Sequence, residues 1–519
     1  MNFGDHHIGA PARAEGTIVP WSRAATHAKG SAMKIPRVSI VVAGATGFVG
    51  AALGEAIGAE HDLIGLTRDA KKAPKNTAYT EFRGCDLYSL LDAEQALTGA
   101  RIAVYLVHSM MPAARLTQGS FRDMDLICAD NFARAARKAG VEQIIYLGGL
   151  LPEGEKLSAH LESRLEVERT LGAHSVPVTT LRAGLILGRG GSSFLMMARL
   201  VRRLPIMVSP SWADSATQPI ALADIIELLR FVLGNESAYG QTFDVGGPEV
   251  LTYRTMMKRT AAVLGVKRRI LPLPLIPRSL SRLWISVITG APRELVSPLI
   301  ESLGHAMVAR DRRLMDRAGV AGTSFDDAVR DALAEPPRDT PVPSSPRENV
   351  PVAYQSAPAR ASGRRSDVRS VQRLPLPPGR DAEWVANEYM RWLPAGFRPF
   401  IRVEVDGHAC RFHGFGLTTP LLVLELAPLR SGKDRQLFYI TGGLLASGRG
   451  RGRLEFREVL GGRFVIAAIH EFEPTLPWYV YRFSQAYAHL WVMWRFRRHL
   501  ARMPGRAAMA GEPASASAG

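Results

Sequence analysis

The sequence predicts an α/β chain: a doubly wound parallel sheet with a small lobe, followed by a separate α+β region of helix-grip type. Three observations predict it. A glycine-spaced turn, Gly44-Ala45-Thr46-Gly47-Phe48-Val49-Gly50, joins an apolar strand run to a helical run. Strand and helix patterns then alternate strictly as far as Arg182. Beyond a Pro-, Ser- and Arg-rich stretch, period-two strands take over and a long aromatic helix closes them.

Residues 1–35 are Gly- and Ala-rich and read as a disordered arm. The first strand is Val38-Ser39-Ile40-Val41-Val42, and the helix after the glycine turn runs from Ala51 through Ile57. Further strands are expected at 61–67, 80–84, 102–107, 143–147 and 178–182. Helices lie between them, one ending near Gly99, one over 124–139 stopped by Gly140, and one over 158–171. After Gly188 the pattern loosens into helices at 194–203 and 223–233, a strand at Phe243-Asp244-Val245, and an apolar helical segment at 282–308. Such a lobe sits outside the carboxyl ends of the strands in open α/β sheets. One domain therefore spans 36–334 and a linker 335–377. A second domain over 378–502 carries strands at 401–405, 421–426, 436–440, 453–457 and 464–472 and a helix at 477–500, and 503–519 is a disordered tail.

With 519 residues, a single core is too small an organisation, and two or three domains are expected. Lys and Arg number 65 against 48 Asp and Glu, a net charge of +17, which points to anionic partners: nucleotide phosphates, lipid headgroups or nucleic acid. Nucleic acid ranks last, because the basic residues belong to no recognised module. Much of the excess falls in stretches read as flexible, at Arg360, Arg364, Arg365 and Arg369, and near the C-terminus at Arg495, Arg497 and Arg498. Cys85, Cys128 and Cys410 are too far apart in sequence for a metal motif, so no metal is expected and a reduced cytoplasm fits. The N-terminus lacks a signal-peptide core, and no run reaches the ~18 apolar residues of a membrane span. The expected location is cytoplasmic, with peripheral association at the inner face of the membrane as the alternative.

The glycine turn carries the clearest chemistry. Gly44 permits the tight turn, Gly47 lets a phosphate approach the backbone, and Gly50 lets helix and strand pack closely. The backbone from Thr46 through Phe48 and Val49 opens the helix and offers N–H groups to a pyrophosphate. Dinucleotide sites that prefer NAD place an acid at the end of the second strand; here Arg68 stands there, suited to a 2′-phosphate. NADP(H) is favoured. Asp69 is the neighbouring acid that keeps NAD(H) open.

Together with Cys85-Asp86-Leu87, Tyr105-Leu106-Val107-His108-Ser109, Tyr146-Leu147-Gly148-Gly149 and Phe243-Asp244-Val245-Gly246-Gly247-Pro248, the turn resembles the atypical, extended short-chain dehydrogenase/reductase superfamily. This is an NAD(P)-binding Rossmann group, and the likeness is to its branch related to the NADPH-binding accessory subunit of respiratory complex I. The resemblance spans about 35–333. It implies Asp86 and Leu87 near the adenine, and Val107, His108 and Ser109 beside the nicotinamide half. It also implies a Ser after the fifth strand and a Tyr-x-x-x-Lys on the next helix, but Gly148 or Gly149, His160 and Arg164 stand at those positions. Arg164 keeps a charge for ribose hydroxyls, and His160 is the candidate acid. The second domain resembles START-like modules by strand order and terminal helix alone.

Three functional readings follow. The first is an NADP-binding protein of this fold without the standard catalytic set, using the cofactor structurally, in regulation or in an unusual redox step. The second is an NADPH-dependent reductase of a quinone or lipid-like carbonyl. The third is a lipid-binding or membrane-associated interaction protein with a nucleotide-sensing domain, its aromatic C-terminus facing anionic lipid.

Overall fold

The computed structural model describes residues 37–75, 77–108, 116–154, 157–272, 302–334, 368–446 and 451–503. The expected arm, most of the linker, most of the tail, Ser109 and most of the apolar segment at 282–308 lie outside them. Seven parallel strands form the first sheet: β1 (Ser39–Ala43), β2 (Asp62–Thr67), β3 (Glu81–Gly84), β4 (Ile102–Tyr105), β6 (Gln143–Gly149), β7 (Val178–Ala183) and β8 (Thr242–Val245), with β5 (Leu116–Gln118) outside it. Their order is β8-β7-β6-β4-β1-β2-β3. β1 pairs with β2 on one side and β4 on the other, so the chain reverses its winding between β1 and β4. Ligands of open α/β sheets lie at the carboxyl end of such a switch point.

Successive side chains of these strands enter opposite layers. Ile40, Val42 and Val104 pack with α1 (Phe48–Ile57) and α6 (Leu222–Val232). Val41, Ala103, Tyr105 and Tyr146 pack on the other side with α2 (Leu90–Ala96), α3 (Phe121–Ala139) and α4 (Ala159–Leu171). Ser120 caps α3 through the backbone N–H of Asp123 at 3.1 Å, and Gly140 ends it in the left-handed region at φ 73°. Ser158 caps α4 through Leu161. The lobe gathers α5 (Ser192–Arg203), α7 (Tyr253–Val263) and a helix over Phe325–Leu333 around Phe194, Met256 and Phe325.

The C-terminal sheet-rich region contains β9 (Val368–Pro375), β10 (Ile401–Asp406), β11 (Ala409–Gly414), β12 (Leu422–Leu426), β13 (Arg435–Gly442), β14 (Arg453–Val459) and β15 (Phe464–Phe472). β9 lies within the stretch read as linker, and its outer neighbour is unexpected: β5, contributed by the first region, runs parallel to it with Val368 opposite Leu116. The sheet therefore has eight strands, ordered β10-β11-β12-β13-β14-β15-β9-β5. One face is covered by two helices, α8 (Ala382–Gly396) and α10 (Gln485–Leu500), where Tyr389 and Trp392 meet Phe496 with ring centroids 5.1 Å apart in each pair. The expected single helix at 477–500 is broken at Ser484 (φ −125°, ψ −83°), which separates α9 (Trp478–Phe483) from α10.

The opposite face packs on α3. In β14, Leu454 and Phe456 enter the helix-covered core, whereas Arg453, Glu455 and Arg457 point the other way and are also buried. Arg457, with no exposed surface, donates from Nη1 to Asp130 at 2.8 Å and Asn131 at 2.5 Å, and from Nε to Glu455 at 2.6 Å. Arg435 reaches the same Glu455 at 2.6 Å. Arg369, read from sequence as part of a flexible basic stretch, is buried in β9, paired to Asp86 at 2.8 Å and stacked over Tyr88 at 3.9 Å. The described residues from Val38 onward form one compact unit.

Burial alone would raise Asp130 and Glu455, but the Arg457 guanidinium, aided by His174 and Arg134 at Asp130 and by Arg435 at Glu455, holds both well below the usual carboxylate range. His470, buried beside Arg453 and Arg369, is pushed far below its ordinary value, and neither ring nitrogen has a hydrogen-bond partner among the described residues. All three groups bind protons more weakly when folded, so their effect on stability has one sign. Stability is full above about pH 7, declines below the unfolded histidine value of about 6.5, and falls further below about pH 4. Thermal melts across pH check this. His470→Leu is expected to shrink the decline near pH 6, to which the buried His108, His160 and His489 also contribute, and to leave the acid one, and an unchanged profile would refute the assignment.

Candidate functional site

The glycine turn has the geometry that an anion cradle requires. Gly44 sits at φ +93° with its α-carbon against Leu106, where a Cβ would lie 3.1 Å from that residue's backbone oxygen. A Cβ on Gly50 would lie 2.2 Å from the Gly44 carbonyl oxygen, a backbone clash that admits glycine alone. Gly47 occupies the N-cap of α1, which has no side-chain cap and no acid in its first turn, leaving its first N–H groups for a bound anion. Thr46 is exposed at the tip, and Phe48 and Val49 are half-buried. Phe48 packs towards the turn at Gly188 and Gly191, so its contribution to the cradle is its backbone N–H.

Arg68, at the end of β2, is exposed and has no ion-pair partner among the described residues. Asp69 is engaged elsewhere: it accepts from the backbone N–H of Lys71 and pairs with Lys72 at 3.1 Å, and the Lys72 hydrogen bond lowers its pKa. Beyond β3, Asp86 accepts from the backbone of Tyr88 and is clamped by Arg369, while Leu87 is half-buried between the two sheets.

A second cluster lies at the carboxyl ends of β4 and β6. Val107 and His108 follow β4, His160 stands in the first turn of α4, and Arg164 lies one turn later on the same face. Asp125, from α3, ties them together. Its Oδ2 lies 2.7 Å from His108 Nδ1, 3.3 Å from Arg164 Nη2 and 3.3 Å from Ser163 Oγ. The Arg164 guanidinium also abuts His108 and lies 3.4 Å from the Tyr146 hydroxyl. With its Nδ1–H given to Asp125, His108 holds Nε2 as an acceptor, and that atom has no partner among the described residues. The His160 ring lies 5.1 Å from that of His108.

Electrostatics makes both imidazoles neutral. Burial, then the neighbouring His108 and Arg164, lower His160 to about 3. Burial and Arg164 also lower His108, against the pull of Asp125. Arg164 keeps its charge despite burial, through Tyr146 and Asp125. The sequence-expected residues His108, Gly148, Gly149, His160 and Arg164 thus come together, whereas Asp86 faces the C-terminal sheet. Asp125 was missed. The signal available in the sequence was an acid inside the apolar run Met124–Cys128 on the inner side of α3.

This cluster forms the polar end of a cavity of about 380 Å³. Its walls are apolar and include Met196, Met197, Leu200, Met257, Leu303 and Met307, with Trp212 and Tyr253 between them. A cavity of this size takes a small molecule, held by apolar contact and oriented by few polar groups.

Residues 44–187 match the family described as NAD(P)H-binding. The N-terminal region is an NAD(P)H-binding domain. A curated relative, the auxiliary protein GraX of Staphylococcus aureus, is 30% identical over 141 residues, which cover 27% of this chain and 42% of that protein. Similar solved structures include a nucleoside-diphosphate-sugar epimerase from Staphylococcus aureus (14% identity, 56% of this chain and all of that one, TM-score 0.47). An NADPH-dependent quinone oxidoreductase from Escherichia coli (16%, 56% and 98%, 0.46) and a triphenylmethane reductase from Citrobacter (19%, 57% and 100%, 0.46) are also similar.

The cradle gives a direct test. Gly50→Ala is expected to destabilise the turn by about 1–3 kcal/mol through overpacking and to weaken dinucleotide binding about tenfold or more. Gly84→Ala is the control, since a Cβ there meets nothing within 4 Å. Calorimetric titration with NADPH measures both, and equal affinities in the two variants would sink the cradle assignment.

Proposed function

We propose that this protein is an NADP(H)-dependent oxidoreductase acting on a small apolar acceptor of the quinone or conjugated-carbonyl class. One observation carries the proposal: an apolar cavity at the switch-point end of the sheet whose polar end is the Asp125–His108 pair with Arg164 and His160. The cradle at Gly44, Gly47 and Gly50 fits a pyrophosphate, and free Arg68 beside an engaged Asp69 fits a 2′-phosphate better than a bare ribose. Bound there, NADP(H) supplies or takes up a hydride.

The residues support an acceptor whose reduced form is a stabilised anion. A ketone yields an alkoxide, which needs a strong acid at the moment of reduction. Neither His160 nor His108 supplies one as a cation near pH 7, because both are held neutral by burial. A quinone yields a delocalised phenolate-type anion, for which a fixed positive charge and a neutral N–H suffice. Arg164 supplies the charge and the neutral His160 ring the N–H, while Asp125 holds His108 and Arg164 in place. The methionine-rich wall adapts to flat, polarizable rings.

A second reading, in which the dinucleotide serves a structural or regulatory role, is supported by Gly148, Gly149, His160 and Arg164 standing where the resembled superfamily carries Ser, Tyr and Lys. We carry forward with it the likeness to the complex I accessory branch, and the START-like reading of the C-terminal sheet with its helices α8 and α10.

NADPH oxidation followed at a series of apolar quinones distinguishes the readings. Turnover is expected with NADPH in preference to NADH, and Arg68→Ser is expected to raise KM for NADPH about tenfold, the equivalent of one charge-assisted phosphate contact, while leaving NADH unchanged. His160→Phe is expected to lower kcat with nucleotide affinity retained. Tight NADPH binding without oxidation by any quinone would favour the second reading.

A further inference from the structure

We infer that the outward face of α9 and α10 is a docking surface for an anionic lipid bilayer. On α10, Tyr487, Trp491, Trp494 and Arg498 follow one another at spacings of four, three and four residues and so share one stripe. Tyr487 is 63% exposed, Trp491 50% and Trp494 51%, and Tyr479 and Phe483 on α9 are 76% and 67% exposed. The opposite side, Ala486, Met493, Phe496 and Leu500, is buried on the sheet. The stripe is therefore left over after the helix has filled its role in the core. It continues beyond the helices, because Trp491 packs on Phe397 at 5.4 Å, and the exposed Phe400 and Phe415 follow, joined by a backbone hydrogen bond of 3.0 Å.

Charge selects the occupant. Between Pro474 and Met503 the chain carries no Asp or Glu, but it carries Arg482, Arg495, Arg497, Arg498 and Arg502. Arg495 and Arg502 flank the stripe on one side and Arg497 on the other. Arg498 lies over the Trp494 ring at 4.8 Å and Arg495 over Trp491 at 5.3 Å, so the cations share a plane with the amphipathic rings. Trp and Tyr favour the headgroup zone, and arginine stems lie along apolar surface while the guanidinium reaches phosphate. The face is a convex helix side rather than a groove, which suits a planar surface. No helix among the described residues is long and apolar enough to cross a membrane, so the contact is peripheral.

Vesicle co-sedimentation of the full chain without nucleotide tests this, and its outcome is independent of the NADPH reading. The chain is expected to pellet with phosphatidylcholine vesicles containing phosphatidylglycerol and to stay in solution with phosphatidylcholine alone. Binding is expected to weaken as salt rises, because the charges act across solvent. Arg482→Gln and Arg498→Gln are each expected to weaken binding roughly fivefold. Tyr487→Ser with Trp494→Ser is expected to abolish pelleting, with unchanged thermal unfolding as the check on folding. Failure of the parent chain to pellet with phosphatidylglycerol overturns the proposal. So does salt-independent binding, equal pelleting of the double variant, or a stripe-dependent dimer in sedimentation velocity that does not bind vesicles.

Discussion

The Arg457 guanidinium is the constraint on which the two sheets depend. It lies fully buried between β14 and α3 and bonds Asp130 and Asn131 of one region and Glu455 of the other. Two guanidiniums, Arg435 and Arg457, face two carboxylates, Glu455 and Asp130, so the seam is charge-balanced. His174 takes the other oxygen of Asp130 at 2.8 Å, and Arg134 shares with Arg457 the oxygen that Arg457 holds, also at 2.8 Å. Transfer of such charges from water is expensive, and their mutual attraction returns little net stability. Removal of one partner, however, strands the other at a cost of about 3–5 kcal/mol. The seam therefore acts through specificity, permitting one docking of sheet on helix and penalising every displaced arrangement.

That docking reaches the cavity. α3 carries Asp125, α4 carries His160 and Arg164, and both helices are pinned by the same side chain of the C-terminal sheet: Arg373 pairs with Asp123 at 2.6 Å and with Glu166 at 2.9 Å. Arg122 closes the loop between the helices by reaching Glu166 at 2.5 Å and Glu162 at 2.5 Å. β5 joins the sheet beside β9 eight residues after His108. The relative placement of Asp125, His108 and Arg164 thus rests on a sheet that, among the described residues, contributes none to the cavity wall. A site held to within tenths of an ångström needs such outer support.

The parts legible in the sequence are those whose signal is local. Gly44 and Gly50 announce themselves because a positive φ and a 2.2 Å approach to backbone exclude every side chain, and the strand and helix runs around them repeat at short period. Asp125 was illegible because its partners lie 17 and 39 residues away, on other elements. The helix at Ala382–Gly396 was missed, with Pro394 inside its last turn and aromatics spread around it. The alternation Arg453-Leu454-Glu455-Phe456-Arg457 read correctly as a two-faced strand. Its charged face, however, meets α3 instead of water, since period two distinguishes faces and says nothing about what covers the second one.

The same point reframes the net charge of +17. A basic excess read from composition assigns every arginine to an external anion, yet Arg369, Arg373, Arg435 and Arg457 are consumed inside by Asp86, Asp123, Glu166, Glu455 and Asp130. These carboxylates are thereby withdrawn from the surface as well. Among the cations that remain outside are Arg68 at the end of β2 and the arginines of α9 and α10 on the aromatic stripe. The internal pairing is what gives the external charges their meaning. Once the buried set cancels, each exposed guanidinium without an acid beside it marks a place where an anion from outside can complete the balance.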